Sequence, residues 1–192
     1  LYKIPHGGYW SLIIASIPFG MIILYTKGQK RLYKNMNFMP LEEFLHKFTR
    51  VYQTTERIEG TALFLIRDAK EIPFYITQTM FYHGIMYEDN IFISIIKRDD
   101  PFGITSFFKP DLAPGLRVFE IQMGYMEVVD IEEELRGVGI EERTVFYGVE
   151  EISTMNPIWK AFYFIKRNTS TFIRFYQFPP KKLHGVITKV EL

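Results

Sequence analysis

The chain has 192 residues, of which 47% are hydrophobic and 17% aromatic, and this is enough for one sizeable core beyond any membrane segment. Its 23 basic and 22 acidic residues leave a formal net charge of +1, which argues against a nucleic-acid-binding module. The absence of cysteine excludes a disulfide framework and thiolate metal sites.

A run of uncharged, mostly apolar residues from Gly7 to Thr26 dominates the start of the chain. As an α-helix it would be about 30 Å long, the thickness of a bilayer's hydrocarbon core, and its apolar side chains would cover every face. The competing interpretation is a buried helix of a soluble domain. Length and flanking residues favour a membrane-spanning helix, which tolerates a proline such as Pro18 where neighbouring helices pack against it.

The charges that flank this run predict its orientation. Lys27, Lys30, Arg31 and Lys34 follow it, whereas only one lysine and one histidine precede it. Positive residues collect on the cytoplasmic side, so the chain after Lys27 is predicted to lie in the cytoplasm. Because the first residue is Leu1 and not methionine, we expect a piece of a longer, multi-pass protein of the cell membrane that begins before its last helix.

The residues that follow predict alternating helices and strands. Pro40 to Val51 has the apolar spacing of an amphipathic helix, and Tyr52 to Gly60 has the composition of a polar connector. Two continuous apolar runs, Thr61 to Ile66 and Ile91 to Ile96, are typical of strands covered on both faces. A short helix at Pro73 to Tyr82 between them predicts a parallel unit with a right-handed crossover.

The second half of the chain continues this pattern after a proline-containing loop. Its predicted elements are the loop Asp99 to Pro114, a strand at Leu116 to Met123, an acidic helix at Asp130 to Leu135, a short strand at Thr144 to Tyr147, a long helix from Pro157 to Tyr176 capped by Asn156, and a strand at Leu183 to Leu192. In that long helix, Ile158, Phe162 and Ile165 follow helical spacing on one apolar face. We therefore expect an α/β fold, in which one N-terminal transmembrane helix precedes a cytoplasmic α/β domain with a mainly parallel sheet.

Three regions are predicted along the chain. Residues 1–26 form the last transmembrane helix with the extracellular segment that leads into it. Residues 27–59 form a basic juxtamembrane segment and an amphipathic connector helix, and residues 60–192 form the cytoplasmic α/β domain.

The sequence contains no catalytic constellation. The four histidines are widely separated, none has a second ligand at metal spacing, and no serine nucleophile elbow or phosphate loop occurs, so we expect neither enzymatic activity nor a cofactor or metal. His83 and Glu88 form a candidate regulatory ligand site, because they are expected at the mouth of the first strand-helix-strand unit, where α/β sheets bind ligands. Short patterns often arise by chance, so a turn with a solvated histidine is the favoured alternative.

Six segments, in order along the chain, resemble motifs of the KUP/HAK/KT potassium uptake transporters. They are Lys3 to Ala15, Gly60 to Leu65, His83 to Glu88, Gly124 to Ile131, Phe146 to Ile152 and Phe178 to Leu192. His83 and Glu88 match the family segment, whereas Gly84, Met86 and Tyr87 depart from it, and Phe146 to Ile152 lacks the family's arginine. The chain thus resembles, over nearly its whole length, the C-terminal part of such a transporter.

This resemblance implies a secondary transporter that brings K⁺ into the cell together with H⁺. It implies the fold of the amino acid-polyamine-organocation superfamily, with a cytoplasmic α/β domain that helps the protein to form a homodimer. The K⁺ and H⁺ pathways of such folds lie in helices upstream of Leu1, so no ion-binding residue is expected in this chain. The implied partners are K⁺, H⁺, the lipid bilayer and a second copy of the chain, and not a nucleic acid polymer.

Two roles for the α/β domain are in competition. In the first, it is a scaffold and dimerisation module whose aromatic residues, such as Phe162, Phe172 and Phe175, bury a partner surface. In the second, it is a nucleotide-binding regulatory sensor on a membrane anchor, with a cyclic dinucleotide as candidate ligand, although no phosphate-cradling motif is found. A membrane-anchored enzyme is disfavoured by the missing constellation.

Overall fold

The computed structural model describes residues 9–169 and 182–192, and the chain divides into two compact units. Unit 1 holds the described residues 9–36, 152–169 and 189–192. Unit 2 holds the described residues 37–151 and 182–188. Each unit is therefore assembled from segments that are far apart in the sequence.

The described residues form five α-helices and eight strands. The helices are α1 (Tyr9–Asn35), α2 (Leu41–Thr54), α3 (Phe74–Thr77), α4 (Ile131–Gly137) and α5 (Pro157–Asn168), and α3 continues into a π-helical turn at Gln78–Tyr82. The strands are β1 (Phe38–Pro40), β2 (Ile58–Ile66), β3 (Glu71–Pro73), β4 (Tyr87–Arg98), β5 (Ile104–Phe108), β6 (Leu116–Gly124), β7 (Glu142–Ser153) and β8 (Leu183–Glu191).

Helix α1 confirms the predicted apolar helix and is longer than expected. It runs for 27 residues, passes through Pro18 without a break, and continues through the whole basic cluster. Lysine, glutamine, arginine and leucine are good helix formers, and Lys34 in the last turn faces the negative end of the helix dipole. By length and composition α1 can cross a membrane. Gly7 and Gly8, at the start of the predicted run, lie outside the described residues.

Unit 2 is built around a sheet whose strand order is β5-β6-β4-β2-β7-β8. The pairs β2 with β4, β2 with β7 and β4 with β6 are parallel, and β5 is antiparallel to β6 at one edge. A small antiparallel pair, β1 with β3, lies outside this sheet. The expected α/β fold with a mainly parallel sheet is confirmed. After β2, the chain adds β4, β5 and β6 on one side of β2 and then β7 and β8 on the other side. This change of side is typical of doubly wound α/β folds.

Two apolar cores explain why the central strands are hydrophobic on both faces. On one face, Phe44 and Phe48 of α2 and Ile76 of α3 pack with Phe64 and Phe92 of the sheet. On the other face, the side chains of α4 pack with alternate residues of the same strands, and this cluster contains Leu63, Ile91, Phe119, Ile131 and Leu135. Helices thus cover both faces, which is the arrangement that parallel sheets require.

The predicted loop Asp99 to Pro114 is wrong in part, because it contains β5. The residues of β5, Ile104–Phe108, are β-branched or aromatic apart from one serine, and none of the three prolines of this segment falls inside the strand. Proline is tolerated beside an edge strand. The prolines on either side therefore indicated a loop where an antiparallel edge strand forms.

Two boundaries in the second half also differ from prediction. The strand expected at Thr144 to Tyr147 extends over the twelve residues of β7. The helix expected to reach Tyr176 ends at Asn168, because Thr169 has an extended backbone with φ −84° and ψ 138°; residues 170–181 lie outside the described chain. The three predicted regions, 1–26, 27–59 and 60–192, stay a prediction about the organisation of the protein.

Candidate functional sites

An ion pair joins the starts of three parallel strands in unit 2. Arg117 of β6 donates from Nε to Oδ1 of Asp89 at 3.0 Å, and Thr61 of β2 donates to the other carboxylate oxygen at 3.3 Å. The hydrogen bond to Asp89 raises the pKa of Arg117, and its guanidinium lies 4.6 Å from the ring centroid of Phe108. Both charges are satisfied within the sheet, so this cluster fastens strands together and offers no free group to a ligand.

A buried carboxylate lies further along β6. Glu120 is 4% exposed; it forms an ion pair with Lys109 and accepts a hydrogen bond from Nε2 of Gln122 at 2.8 Å. Burial raises the pKa of Glu120, but the hydrogen bonds from Lys109 and Gln122 outweigh it and leave the pKa below its usual range. Glu120 is therefore a stably ionised structural residue and not a poised proton donor.

The predicted site residues His83 and Glu88 lie before and at the start of β4, and both are exposed. His83 ends the π-helical turn, where its backbone N–H donates to the carbonyl of Gln78 at 3.0 Å, and Gly84 follows with a φ of +65°. They are thus at the amino edge of β4, whereas α/β sheets bind ligands at the carboxyl edge. The position of His83 and Glu88 in the sheet therefore no longer supports a ligand site. That they bind a regulatory ligand stays a prediction.

A groove of about 510 Å³ lies beside α2 in unit 2. It is lined by Asn37, Phe38, Met39, Glu43, Lys47, Arg50, Val51, Phe74, Thr77, Phe81 and Tyr82. Lys47 is paired with Glu43 at 2.6 Å, and Tyr82 is 75% exposed. Aromatic rings beside cationic side chains suit a flat, anionic ligand.

Unit 1 joins α1 to α5 and to the end of β8. Phe162 of α5 is fully buried and lies over Gly28 of α1, where an added Cβ atom would come within 2.2 Å of the ring. The side-chain amide of Asn35 donates to the carbonyl of Glu191 in β8 at 2.7 Å. Phe162 is thus buried inside the chain and, contrary to the prediction, is not available to a partner surface. Phe172 and Phe175 lie outside the described residues.

Comparison with known families identifies the domain that these elements build. Residues 59–192 match the family model described as the K⁺ potassium transporter C-terminal domain. The match covers more than two thirds of the chain and includes every strand of the main sheet except the first residue of β2. The chain belongs to this family.

Curated relatives of the potassium transporter domain match the whole chain. Proteins named probable potassium transport system protein Kup are 56% identical over 191 residues in Methanosarcina acetivorans, 52% over 191 residues in Methanosarcina barkeri and 47% over 192 residues in Geotalea uraniireducens. In each case the match covers 100% of this chain and 32% of the relative. No solved structure matches.

These findings confirm the resemblance to the C-terminal part of a KUP/HAK/KT transporter. The relatives are named as transport proteins, in agreement with the expectation that the chain is not an enzyme. Among residues 9–169 and 182–192, no group of three or more histidine, aspartate or glutamate side chains could hold a metal ion.

Sequence reasoning missed two structural residues, one in α1 and one in the transporter domain. The charged residues around Gly28 indicate only a basic flank, although a glycine inside a helix usually has a packing reason. Glu120 was treated as one residue of an alternating strand, although a lone carboxylate between apolar neighbours signals a buried partner. Its partner, Lys109, was assigned to a loop.

Proposed function

We propose that this chain is the C-terminal part of a transporter that takes K⁺ into the cell, with α1 as its last membrane helix. One observation carries the proposal: the relatives named as potassium transport proteins match the whole chain, including the 58 residues that precede the family domain. Those residues contain α1, so the apolar helix and the domain belong to one transport polypeptide. The ions pass through further helices, as in transporters that bind substrate at broken helices near the midplane.

Transport is proposed to be K⁺/H⁺ symport. Between Tyr9 and Thr26, α1 contains no acidic side chain, lysine, arginine or histidine. Proton relays in membranes are built from such groups, so the relay belongs to other helices of the complete transporter.

Transport is tested with the complete reading frame that contains this chain. Cells that lack their own K⁺ uptake systems should grow at low K⁺ when they express it. In proteoliposomes, K⁺ added outside should acidify the lumen, as reported by an entrapped pH dye. Membrane-inserted protein that restores no growth would overturn the uptake proposal, and K⁺ uptake without acidification would overturn symport alone.

The domain after α1 is proposed to lie in the cytoplasm, because the basic residues follow the apolar run and positive residues stay inside. The chain has no cysteine, so a single reporter can be introduced at Met155, which is 94% exposed. A membrane-impermeant maleimide should label Met155→Cys in opened cells and not in intact cells. Equal labelling of both would contradict the orientation.

The domain is further proposed to act in dimerisation. Strand β5 is an edge of the sheet, and the apolar residues Phe102, Ile104 and Phe107 on and beside it are 64%, 38% and 39% exposed. An exposed apolar edge strand is a ready partner for a second strand. The detergent-corrected mass of the whole chain should be that of a dimer. Ile104→Lys should give a monomer, whereas Ile187→Lys on the opposite edge strand should not; a monomeric parent chain would contradict the proposal.

A nucleotide-binding regulatory role is the second candidate, and the groove beside α2 is the observation that favours it. Its size falls in the range of small-molecule sites, and Arg50 and the rings of Phe81 and Tyr82 line it. A cyclic dinucleotide, used as the probe, should raise the unfolding temperature of the whole chain. Arg50→Gln should abolish that rise while Arg57→Gln, outside the groove, retains it; no rise in the parent chain would exclude this role for the probe.

A further inference from the structure

Three contacts fix α5 beside the last residues of the apolar run of α1 and the basic residues that follow them. The ring of Phe162 lies over Gly28, and its centroid is 6.1 Å from that of Tyr25. The guanidinium of Arg31 lies 5.1 Å from the ring centroid of Trp159. All of these residues belong to unit 1. Helix α5 is therefore held at the end of α1 where the apolar residues give way to the basic cluster.

The same contacts give the direction of α5. From Trp159 to Phe162 the contact on α1 moves back from Arg31 to Gly28 and Tyr25. The two helices thus run antiparallel, and α5 rises toward the apolar half of α1. Phe162 is level with Gly28, and two residues of an α-helix span about 3 Å along its axis. Because the helices are antiparallel, two residues forward in α5, from Phe162 to Phe164, correspond to two residues back in α1, from Gly28 to Thr26. Phe164 consequently lies near the level of Thr26, where the apolar run ends.

The face of α5 opposite Phe162 combines an exposed aromatic ring with cations. Phe164 is 70% exposed, and Lys160 and Arg167, at helical spacing on either side of it, are also exposed. The adjacent end of α1 carries its own lysines. Phenylalanine is among the apolar residues that membrane-surface helices insert at the boundary between headgroups and acyl chains, and lysine and arginine near that boundary are attracted to anionic headgroups.

We propose that the C-terminal half of α5 reaches the membrane surface, where Phe164 enters the headgroup layer of the leaflet in which α1 ends and the long side chains of Lys160 and Arg167 extend to acidic phospholipid headgroups. This inference rests on the proposed function, because it requires α1 to span the bilayer. The exposed face of α5 is proposed to contact the membrane surface. Phe164 is level with the end of the apolar run of α1, and the positive charges around it match the headgroup layer and not the hydrocarbon core.

A tryptophan at position 164 tests this inference. The chain has two tryptophans, Trp10 and Trp159, and replacing both with phenylalanine allows Phe164→Trp to be the only reporter. The chain is reconstituted in vesicles of phosphatidylcholine, or of an equal mixture with phosphatidylglycerol. We expect a blue-shifted emission that loses intensity when the lipids carry bromine near the headgroup end of their acyl chains. The control is Met155→Trp, which precedes α5 at its opposite end and should show neither change.

Two further variants separate the possible failures. A chain with only Trp10 reports whether α1 is inserted. Quenching of Trp10 without quenching at position 164 would overturn the membrane contact of α5 alone. No quenching of Trp10 would overturn the membrane-spanning role of α1 and the inference with it. In the Phe164→Trp chain, quenching should be stronger in the mixture with phosphatidylglycerol than in phosphatidylcholine alone, and Lys160→Gln with Arg167→Gln should remove this difference. Unchanged dependence on phosphatidylglycerol would overturn the headgroup contact.

Discussion

At the scale of single residues, Gly28 decides how closely α5 approaches α1. Its missing side chain leaves room for the Phe162 ring, since three ring atoms lie within 2.5 Å of the position of an added Cβ. Both residues are in one helix pair of unit 1, so no rotation of a side chain at position 28 can avoid the overlap. The ring or the helix must move instead.

We predict that Gly28→Val destabilises the chain by about 1–3 kcal/mol, the usual cost of forcing extra atoms into a packed core. Gly20→Val is the matched control, because it lies in the same helix and its Cβ would meet nothing within 4 Å. The measurement is the thermal unfolding midpoint of both variants in the same detergent. Equal midpoints for the two variants would show that the close approach is not present.

The ion pair of Glu120 leads to a pH-dependent prediction. Its pKa is lowered in the folded protein, so the unfolded chain takes up the proton first as pH falls. The stability from this carboxylate is therefore complete at neutral pH and is lost as pH falls through the lowered pKa. Glu120→Gln should cost about 1–3 kcal/mol at neutral pH, and less in acid.

Urea unfolding at neutral pH and in the acid range, on the parent chain and the variant, measures that difference. Glu56→Gln is the control, because Glu56 is exposed and its loss should change stability little at either pH. A cost for Glu120→Gln that is the same at both pH values would contradict the ionised state of Glu120.

At the scale of elements, N-terminal caps set where the later helices begin. Asn156 accepts a hydrogen bond from the backbone N–H of Ile158 at 2.9 Å, directly before Pro157 in the first turn of α5. Asp130 does the same for α4 through the N–H of Glu133 at 3.1 Å. An unpaired N–H at a helix start is costly, so each cap stabilises its helix.

We predict that Asn156→Ala lowers the free energy of unfolding by about 1 kcal/mol, as cap removal usually does. Asn156→Asp should keep most of the stability, because aspartate caps a helix as well as asparagine. Urea unfolding of the whole chain measures both variants. If the two substitutions cost the same, the cap hydrogen bond contributes nothing.

The sequence predicted most elements because local signals were strong. Pro40 before two glutamates indicated the start of α2, and the continuous apolar residues of β2 and β4 indicated strands covered on both faces. It failed where a local signal was misleading, as with the prolines around β5. The sequence also predicted that Ile158 lies on the apolar face of α5, although Ile158 is 58% exposed. Helical spacing shows which residues share a face, but it does not show how far along the helix the packing partner extends.

At the scale of the whole molecule, the sequence could not predict unit 1. Its contacts join α1 to α5 and the end of β8, segments more than a hundred residues apart, and no periodicity in either helix indicates its partner. The geometric argument for the candidate ligand site failed for a related reason, although the site itself stays a prediction. His83 and Glu88 were assigned to a mouth of the sheet by their order in the chain, whereas the edge that binds ligands depends on strand direction.

The basic cluster of α1 gives the prediction for the whole molecule. Lys27, Lys30 and Lys34 changed together to glutamine should give a mixed orientation, because the charge bias across the helix is reduced. Arg31 is kept, since it contacts Trp159. Maleimide labelling of Met155→Cys in intact cells should rise. Glutamine at Lys47, Lys70 and Lys189, more than about 20 residues from the span, should leave labelling unchanged; a rise in both sets would contradict the argument.

The unbroken course of α1 has a mechanical consequence. Its last nine residues, Lys27 to Asn35, extend about 13 Å beyond the apolar run as one rigid rod, and α5 is clasped to that rod by Phe162. A tilt of about 20° in the bilayer would sweep the far end of the rod sideways by about 5 Å. Because Phe162 packs against Gly28 in this rod, we expect α5 to move together with α1 whenever α1 tilts.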